Sequence, residues 1–328
     1  MIRHAARVRR RGRFLNLLVS LKYLVALDDQ RHFGRAALAC HVTQPALSNA
    51  LRALETSFGT AIVKRGRSFS GFTPEGERIL VSARRMLREH ELLQQDLHSG
   101  AATPHGHLVI GAVPSAMPIA ARFAAWLHDR HPGIVPNLRS MSSVDLEAGL
   151  ECLAIDIGLG YTERIDNRRA PLRCLAQYTE HYYLLRKATG PLTQALQPGP
   201  AMRWTEAATL ALCLLSPEMH NRTIVDRAFA AAGVRPRPAI ETNSILGLAL
   251  CAVAGRVCSV MPGALVGVVQ GYRELEALPL VEPLVQSPIA FMVHHTNRPS
   301  RTLEAALALA QEKAWLQEAA RYSGLLTG

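Results

Sequence analysis

The 328-residue sequence holds little that suits covalent or metal chemistry. It has no G-x-S-x-G elbow, no H-E-x-x-H, no Walker sequence and no G-x-G-x-x-G, so the common hydrolase, zinc-protease and phosphate-loop signatures are absent. Gly158-Leu159-Gly160 is only a fragment of a glycine loop. The six cysteines (Cys40, Cys152, Cys174, Cys213, Cys251 and Cys258) are scattered, with no C-x-x-C pair and no zinc spacing. They suit a reducing cytoplasm in which thiols pack as small apolar groups. His105 with His107, His128 with His131, and His294-His295 lack a cysteine or carboxylate at ligand spacing, so neither metal nor cofactor is expected. No uncharged apolar run reaches the ~18 residues that a membrane span needs. Phe14 to Leu27 follows a basic stretch as a signal peptide would. Asn16, Ser20 and Lys22 interrupt it, however, and Asp28-Asp29 stands where small cleavage-site residues belong.

Acid is the scarce charge. Asp and Glu number 26 against 37 Lys and Arg, a net of +11. The imbalance is local: residues 1–100 hold 17 basic and 8 acidic side chains, whereas the rest is nearly balanced at 20 and 18. Such an excess is the footprint of a polyanion, either nucleic acid or an anionic lipid surface. Arg3, Arg7, Arg9, Arg10, Arg11 and Arg13 suit an arm on a phosphate backbone or a solvated tail.

From Leu17 the pattern is helical. Leu17, Leu21, Leu24 and Val25 fall on one face, and the Ala-rich FGRAALAC precedes a break at HVT. Thr43 is a good N-cap and Pro45 falls in the first turn of the next helix. Leu47, Ala50, Leu51, Leu54 and Phe58 should face the core, with Gln44, Ser48, Asn49 and Arg52 opposite and Gly59 ending the helix. Two short helices joined by a tight turn describe a helix-turn-helix. Gln and Asn pair with adenine, Arg with guanine, and Ser and Thr with phosphates or base edges. By itself the pattern equally describes an amphipathic helix with a solvated face. Ala61 to Phe72 reads as a hairpin wing, with Lys64, Arg65 and Arg67 placed to hold phosphates or, for Arg65, to brace the wing.

Ala36-Ala37, Thr43-Gln44-Pro45, Ser48, Leu51, Leu54-Glu55, Gly59, Arg65, Thr73 and Gly76 resemble the signature of the LysR-type transcriptional regulators. Cys40 stands where that family usually has leucine, and Ile62-Val63 replaces leucine-phenylalanine. The resemblance implies a winged helix-turn-helix at 18–73 behind a basic extension at 1–17. Arg35, Thr43, Gln44, Pro45, Ser48, Asn49, Arg52, Lys64, Arg65 and Arg67 are its candidate DNA contacts.

Thr73 caps the next helix, with Pro74 at its first position and Glu75 and Glu77 at the positive dipole end. Ile79, Ala83, Met86, His90, Leu93 and Leu97 alternate steps of four and three, the spacing of a two-helix seam. The stripe at 74–98 needs either a partner helix or the chain's own body. The resemblance favours a homodimer, extended to a dimer of dimers. Ser99 to Pro104 marks a hinge, bounded at 99–106.

Beyond it strands and helices alternate, as in an α/β fold with parallel strands. Strands are expected at His107–Val113, Val135–Met141, Ile155–Leu159, Cys213–Ser216, Ala239–Thr242, Val257–Met261 and Ile289–His295. Helices are expected at Met117–His131, Ser143–Glu151, Asn221–Ala232, Ile245–Ala254 and Arg301–Trp315. Ser143, Leu146, Leu150, Asp156 and AGRVCSVMP at 254–262 resemble the LysR effector domain, although Leu153 replaces a usual glycine. The whole resemblance spans about residues 18 to 313. It implies a two-lobed, periplasmic-binding-protein-like domain at 107–328: lobe I at about 107–178 and 284–313, lobe II at about 179–283. Crossings are expected near Ala176–His181 and Val281–Gln286.

A ligand belongs between the lobes, where helix N-termini offer free N–H groups to an anion. Ser115 with Ala116, Ser143, and His220-Asn221 are the candidate effector contacts; for Ser115, Ser143 and Asn221, helix capping is the competing role. The expected partners are double-stranded promoter DNA carrying an inverted repeat, a small anionic effector and, for an activator, RNA polymerase. Resemblance to regulators encoded near formate dehydrogenase genes points to one-carbon metabolism. A cytoplasmic, nucleoid-associated protein without a membrane partner, and not an enzyme, is expected. A solute-binding or transferase-like α/β protein with a docking module is the rival reading.

Overall fold

The computed structural model describes residues 16–64, 66, 69–98, 103–165, 172–191, 194–294 and 299–323. The chain divides into two compact units, Met1–Leu93 and Gln94–Gly328. The arginine-rich stretch 1–13 lies outside the described residues, as do Arg65 and Arg67.

The first unit holds α1 (Leu17–Gln30), α2 (Phe33–Ala39), α3 (Gln44–Phe58) and α4 (Pro74–His98) as far as Leu93. Asn16, His32 and Thr43 each cap the helix that follows, their side chains accepting first-turn amides. Gly59 closes α3 at φ 67°, a conformation that costs glycine little. Leu21, Leu24, Leu27, Ala36, Ala37, Leu47, Leu51 and Leu54 make one core. The wing is pinned by the Val63–Phe72 bridge and by Glu55, whose carboxylate accepts the amides of Ile62 (2.8 Å) and Val63 (3.1 Å). Thr73 donates to the Ala61 carbonyl and accepts from the Gly76 amide, which starts α4 at the expected place. Gly76 has a steric reason: a Cβ there would lie 2.2 Å from the Ile62 carbonyl oxygen.

Two expectations change. Phe58, placed on the core face, is 45% exposed. It lines a shallow cavity with Glu75, Arg78, Ile79, Ser82 and Met86, because the last turn of α3 overruns the core. The stripe on α4 also divides. Ile79, Leu80, Ala83 and Leu87 pack into the unit's own core, and Arg84 bonds Asp28 and Asp29 at 2.7 Å each. Met86, Leu93 and Leu97 stay exposed at 37%, 59% and 76%.

The second unit contains two sheets. The first collects β1 (Gly106–Ala112), β2 (Ile134–Ser140), β3 (Ile157–Tyr161), β4 (Leu172–Glu180) and a late strand, β12 (Ser287–His294). Their order is β2-β1-β3-β12-β4, with β1 parallel to β2 and β3, and β12 antiparallel to its neighbours. Against it lie α5 (Met117–Arg130), α6 (Ser143–Glu151), α11 (Arg301–Ala310) and α12 (Lys313–Tyr322). The second sheet comprises β5 (Tyr182–Lys187), β6 (Gln197–Pro198), β7 (Met202–Arg203), β8 (Leu212–Leu215), β9 (Ile240–Thr242), β10 (Cys258–Pro262) and β11 (Leu275–Val281). Its order is β6-β11-β5-β10-β8-β9, with β7 also on β11. Its helices are α7 (Trp204–Ala207), α8 (His220–Ala231), α9 (Ile245–Ala254) and α10 (Gly263–Val266).

The chain passes between the sheets at His181 and again through residues 282–286, where Glu282 has φ 54°. The first passage is narrower than expected, since Ala176 to Glu180 still pair with β12. The helix expected over Arg301–Trp315 is two helices, with Gln311 as the C-cap of the first and Glu312 as the N-cap of the second. That turn seats Trp315 against Phe123, with its indole donating to Gln177 at 2.6 Å. None of the six cysteines is in a disulfide; Cys213 is buried and Cys174 exposed. No helix among the described residues is long and apolar enough to cross a membrane.

Candidate nucleic-acid interface and inter-lobe cleft

On α3 the apolar positions Leu47, Leu51 and Leu54 turn inward. Gln44, Pro45, Asn49 and Arg52 are exposed on the other side, and Ser48 is half-buried. The period of 3.6 residues produces this division. The Arg52 guanidinium reaches Asn49 at 3.5 Å, leaving most of its donors free for a groove. Thr43 is exposed but its hydroxyl accepts the Ala46 amide, so capping occupies it. Arg35 is exposed and bonds the Gln30 carbonyl at 2.8 Å, closing the end of α1. Lys64 is exposed at the base of the wing, its amide held by Gly71.

In the second unit a cleft of about 280 Å³ opens between the two sheets. Four of the five residues expected there line it: Ser115, Ser143, His220 and Asn221. Ala116 is fully buried and does not. The roles differ from simple caps. Ser115 caps nothing; its buried hydroxyl lies 2.8 Å from that of Tyr161. Ser142, rather than Ser143, caps α6 by accepting the Asp145 amide. Ser143 lies at the first helical position, and its buried Oγ has no hydrogen-bond partner among the described residues. Asn221 is not a cap either. Its amide donates to Tyr161 at 2.9 Å and, more weakly, to Tyr182 at 3.4 Å.

His220 stands at the first position of α8 with its ring edge-on to Tyr161. Its Nε2 meets the Glu163 carboxylate at 2.9 Å, joining α8 to the segment after β3. That hydrogen bond holds the Glu163 pKa below the usual carboxylate value. Under the cleft Glu180 is fully buried. One oxygen accepts the Ala264 amide at 3.0 Å, and burial pushes its pKa up to about 8. Burial raises Tyr161 as well, with the nearby Glu180 carboxyl adding to it, so the phenol stays protonated as a hydrogen-bonding hub.

Tyr161, Glu163, Ser142, Glu218 and Asn243 are the residues that sequence reasoning missed. Tyr161 and Glu163 had a signal: they follow directly on the apolar strand IGLG, where α/β folds place ligand contacts.

Residues 18–77 match the family model of the bacterial regulatory helix-turn-helix protein, lysR family, and residues 101–315 match the LysR substrate binding domain. Over 137 residues the chain is 35% identical to the DNA-binding transcriptional dual regulator OxyR of Escherichia coli K12, covering 42% of this chain and 45% of that protein. It is 32% identical over 145 residues to the SDS degradation transcriptional activation protein of a Pseudomonas species, covering 44% and 46%. The chain thus spans about half the length of the curated relatives it matches. A full-length OxyR variant from Pseudomonas aeruginosa superposes with a TM-score of 0.68 at 22% identity, over 95% of this chain and 98% of that one. CbnR, solved in complex with its target DNA, gives 0.64 at 19% identity over 92% and 99%. At these identities the likeness is one of fold.

Proposed function

This chain belongs to the LysR family of transcriptional regulators, and from that premise we propose that it reads an inverted repeat in promoter DNA under control of a small anion bound between its lobes. Residues 18–73 form the DNA-binding domain in this reading, 74–98 the dimerisation helix, 99–106 the hinge and 107–328 the effector domain. The observation that carries it is the division of α3 into a buried leucine face and an exposed Gln44, Asn49 and Arg52 face, set beside an exposed basic wing residue, Lys64. Gln44, Asn49 and Arg52 contact base edges, with Ser48 at the margin. Lys64, Arg65 and Arg67 hold phosphates. Thr43, Pro45 and Arg35 set the pose of the helix on the backbone.

The exposed Met86, Leu93 and Leu97 pair two chains, and two pairs form a tetramer. Two recognition helices at fixed separation then read the two half-sites. The protein acts in the cytoplasm on the nucleoid, contacts RNA polymerase where it activates, and catalyses no reaction. Footprinting of the full chain on the promoter region beside its own gene tests the reading. Protection of an inverted repeat that shifts in extent with a small anion supports it; salt-sensitive binding without sequence preference would overturn it.

A further inference from the structure

The cleft contains a mismatch of charge that bears on its occupant. Among the described residues that line it there is no Lys or Arg, and Glu218 is an acid. Arg222, in the first turn of α8, is committed elsewhere: it bonds the Leu215 carbonyl, Asp226 and Glu241, all within 2.8 Å. Among the described residues that line the cleft, His220 is therefore the one side chain able to carry positive charge, and Glu163 already holds it.

The remaining polar groups are neutral donors. The amides at the first positions of α6 and α8 have no intrahelical carbonyl to bond, and no side chain caps α8. Ser143 is 8% exposed, and its unpartnered hydroxyl sits at the first of these helix starts, on the cleft wall. A buried hydroxyl left without a partner is costly, so this one points to a ligand acceptor. Val113, Pro114, Met141, Leu215 and Met219 complete an apolar side.

Resting on the reading that the cleft holds the effector, we propose that the ligand is a small monoanion with a short apolar body, and that its charged head takes His220 from Glu163. One negative charge gains two helix N-termini, the Ser143 hydroxyl and the His220 Nε2. A second negative charge would meet Glu218 on the cleft wall and the displaced Glu163, whose neighbouring cations, Arg164 and Arg227, are not among the described residues that line the cleft. A cation would face the positive ends of both helices. The exchange changes a bond between the lobes, since Glu163 follows β3 of the first sheet and His220 opens α8 on the second. Ligand binding and inter-lobe contact are thus coupled through one imidazole.

The test uses the full chain and five-carbon probes matched in length: pentanoate, glutarate, pentanamide and pentylamine, titrated calorimetrically and by melting temperature. Pentanoate should bind at least about tenfold more tightly than glutarate, pentanamide or pentylamine, the scale of one charge-assisted hydrogen bond. Glu163→Gln removes the competitor and should tighten pentanoate roughly threefold to fivefold, the scale of a partly exposed ion pair. His220→Gln should weaken it about tenfold, and both variants should keep the wild-type far-ultraviolet circular dichroism.

Glutarate binding as tightly as pentanoate, no pentanoate binding at millimolar concentration, or weaker pentanoate binding in Glu163→Gln would each overturn the inference. Asn243→Trp, which fills the mouth, separates the two layers. If it leaves every titration unchanged, the cleft is not the effector site and the wider reading fails. If it abolishes binding while glutarate ranks first in the wild type, the cleft stands and the charge argument falls.

Discussion

The Asn221 side-chain amide donates to the Tyr161 hydroxyl at 2.9 Å, across the boundary between the two lobes. Tyr161 ends β3 and Asn221 lies in the first turn of α8, and the Ser115 hydroxyl joins them at 2.8 Å. Both side chains are buried, so neither can exchange its partner for water.

Tyr161→Phe should therefore cost about 1–3 kcal/mol, because the Asn221 amide keeps only its long bond to Tyr182. Urea unfolding of the wild type and the variant measures this from the transition midpoints. A loss below about 0.5 kcal/mol would mean that the lobes are held by packing rather than by this hydroxyl.

Glu180 gives a pH prediction. Its carboxyl titrates near about 8 in the fold, against the ordinary 4.5. Between those values the folded chain holds a proton that the unfolded chain has released, so this group's contribution to stability falls as pH rises through the window. The contribution is full below 4.5 and gone above about 8. Glu180→Gln keeps the Ala264 amide satisfied and has no proton to lose. Its melting temperature should decline less than that of the wild type from pH 5 to 8. Parallel profiles would show that Glu180 titrates as an ordinary carboxyl.

Base reading and phosphate holding separate in their salt dependence. Gln44→Ala should weaken cognate DNA by about 1–3 kcal/mol and relax one base preference. Lys64→Ala should weaken cognate and random DNA alike and reduce the salt slope by about one. Equal losses on both DNAs for Gln44→Ala would remove it from the recognition face.

The exposed half of α4 makes its own prediction. Met86 and Leu93, both replaced by Glu, should dissociate the assembly, since burying unpaired carboxylates is costly. Light scattering should show monomer, and affinity for a full inverted repeat should fall with no DNA contact altered. A variant that stays dimeric with full affinity would assign those residues another role. Ala83 is unsuitable for this test because it is fully buried in its own unit.

The helix-turn-helix was legible because its signals are local. Thr43, Pro45 and Gly59 set the ends of α3 through backbone chemistry, and a 3.6-residue period sorts Leu47, Leu51 and Leu54 from Gln44, Asn49 and Arg52. Ser143, His220 and Asn221 were legible for a similar reason, since each opens a helix after a strand. What they bond was not. Tyr161 reaches Ser115 over 46 residues of sequence and Asn221 over 60, and Glu163 reaches His220 over 57. Phe58 and Ala83 have the right period, yet the packing of α4 on α1 decides which apolar side chain finds a core.

The strands β4, β5 and β11 escaped notice because their sequences, LRCLAQYTE, YYLLRK and LEALPLV, show no clean alternation. The sequence by itself determined the ends of α3, the start of α4, the two faces of α3 and the helix starts around the cleft, all set by interactions within a few residues. Tertiary structure alone decided which strands carry the chain between the lobes, where Glu180 is buried, and that Glu163 holds His220, because each depends on groups that only the closed chain brings together.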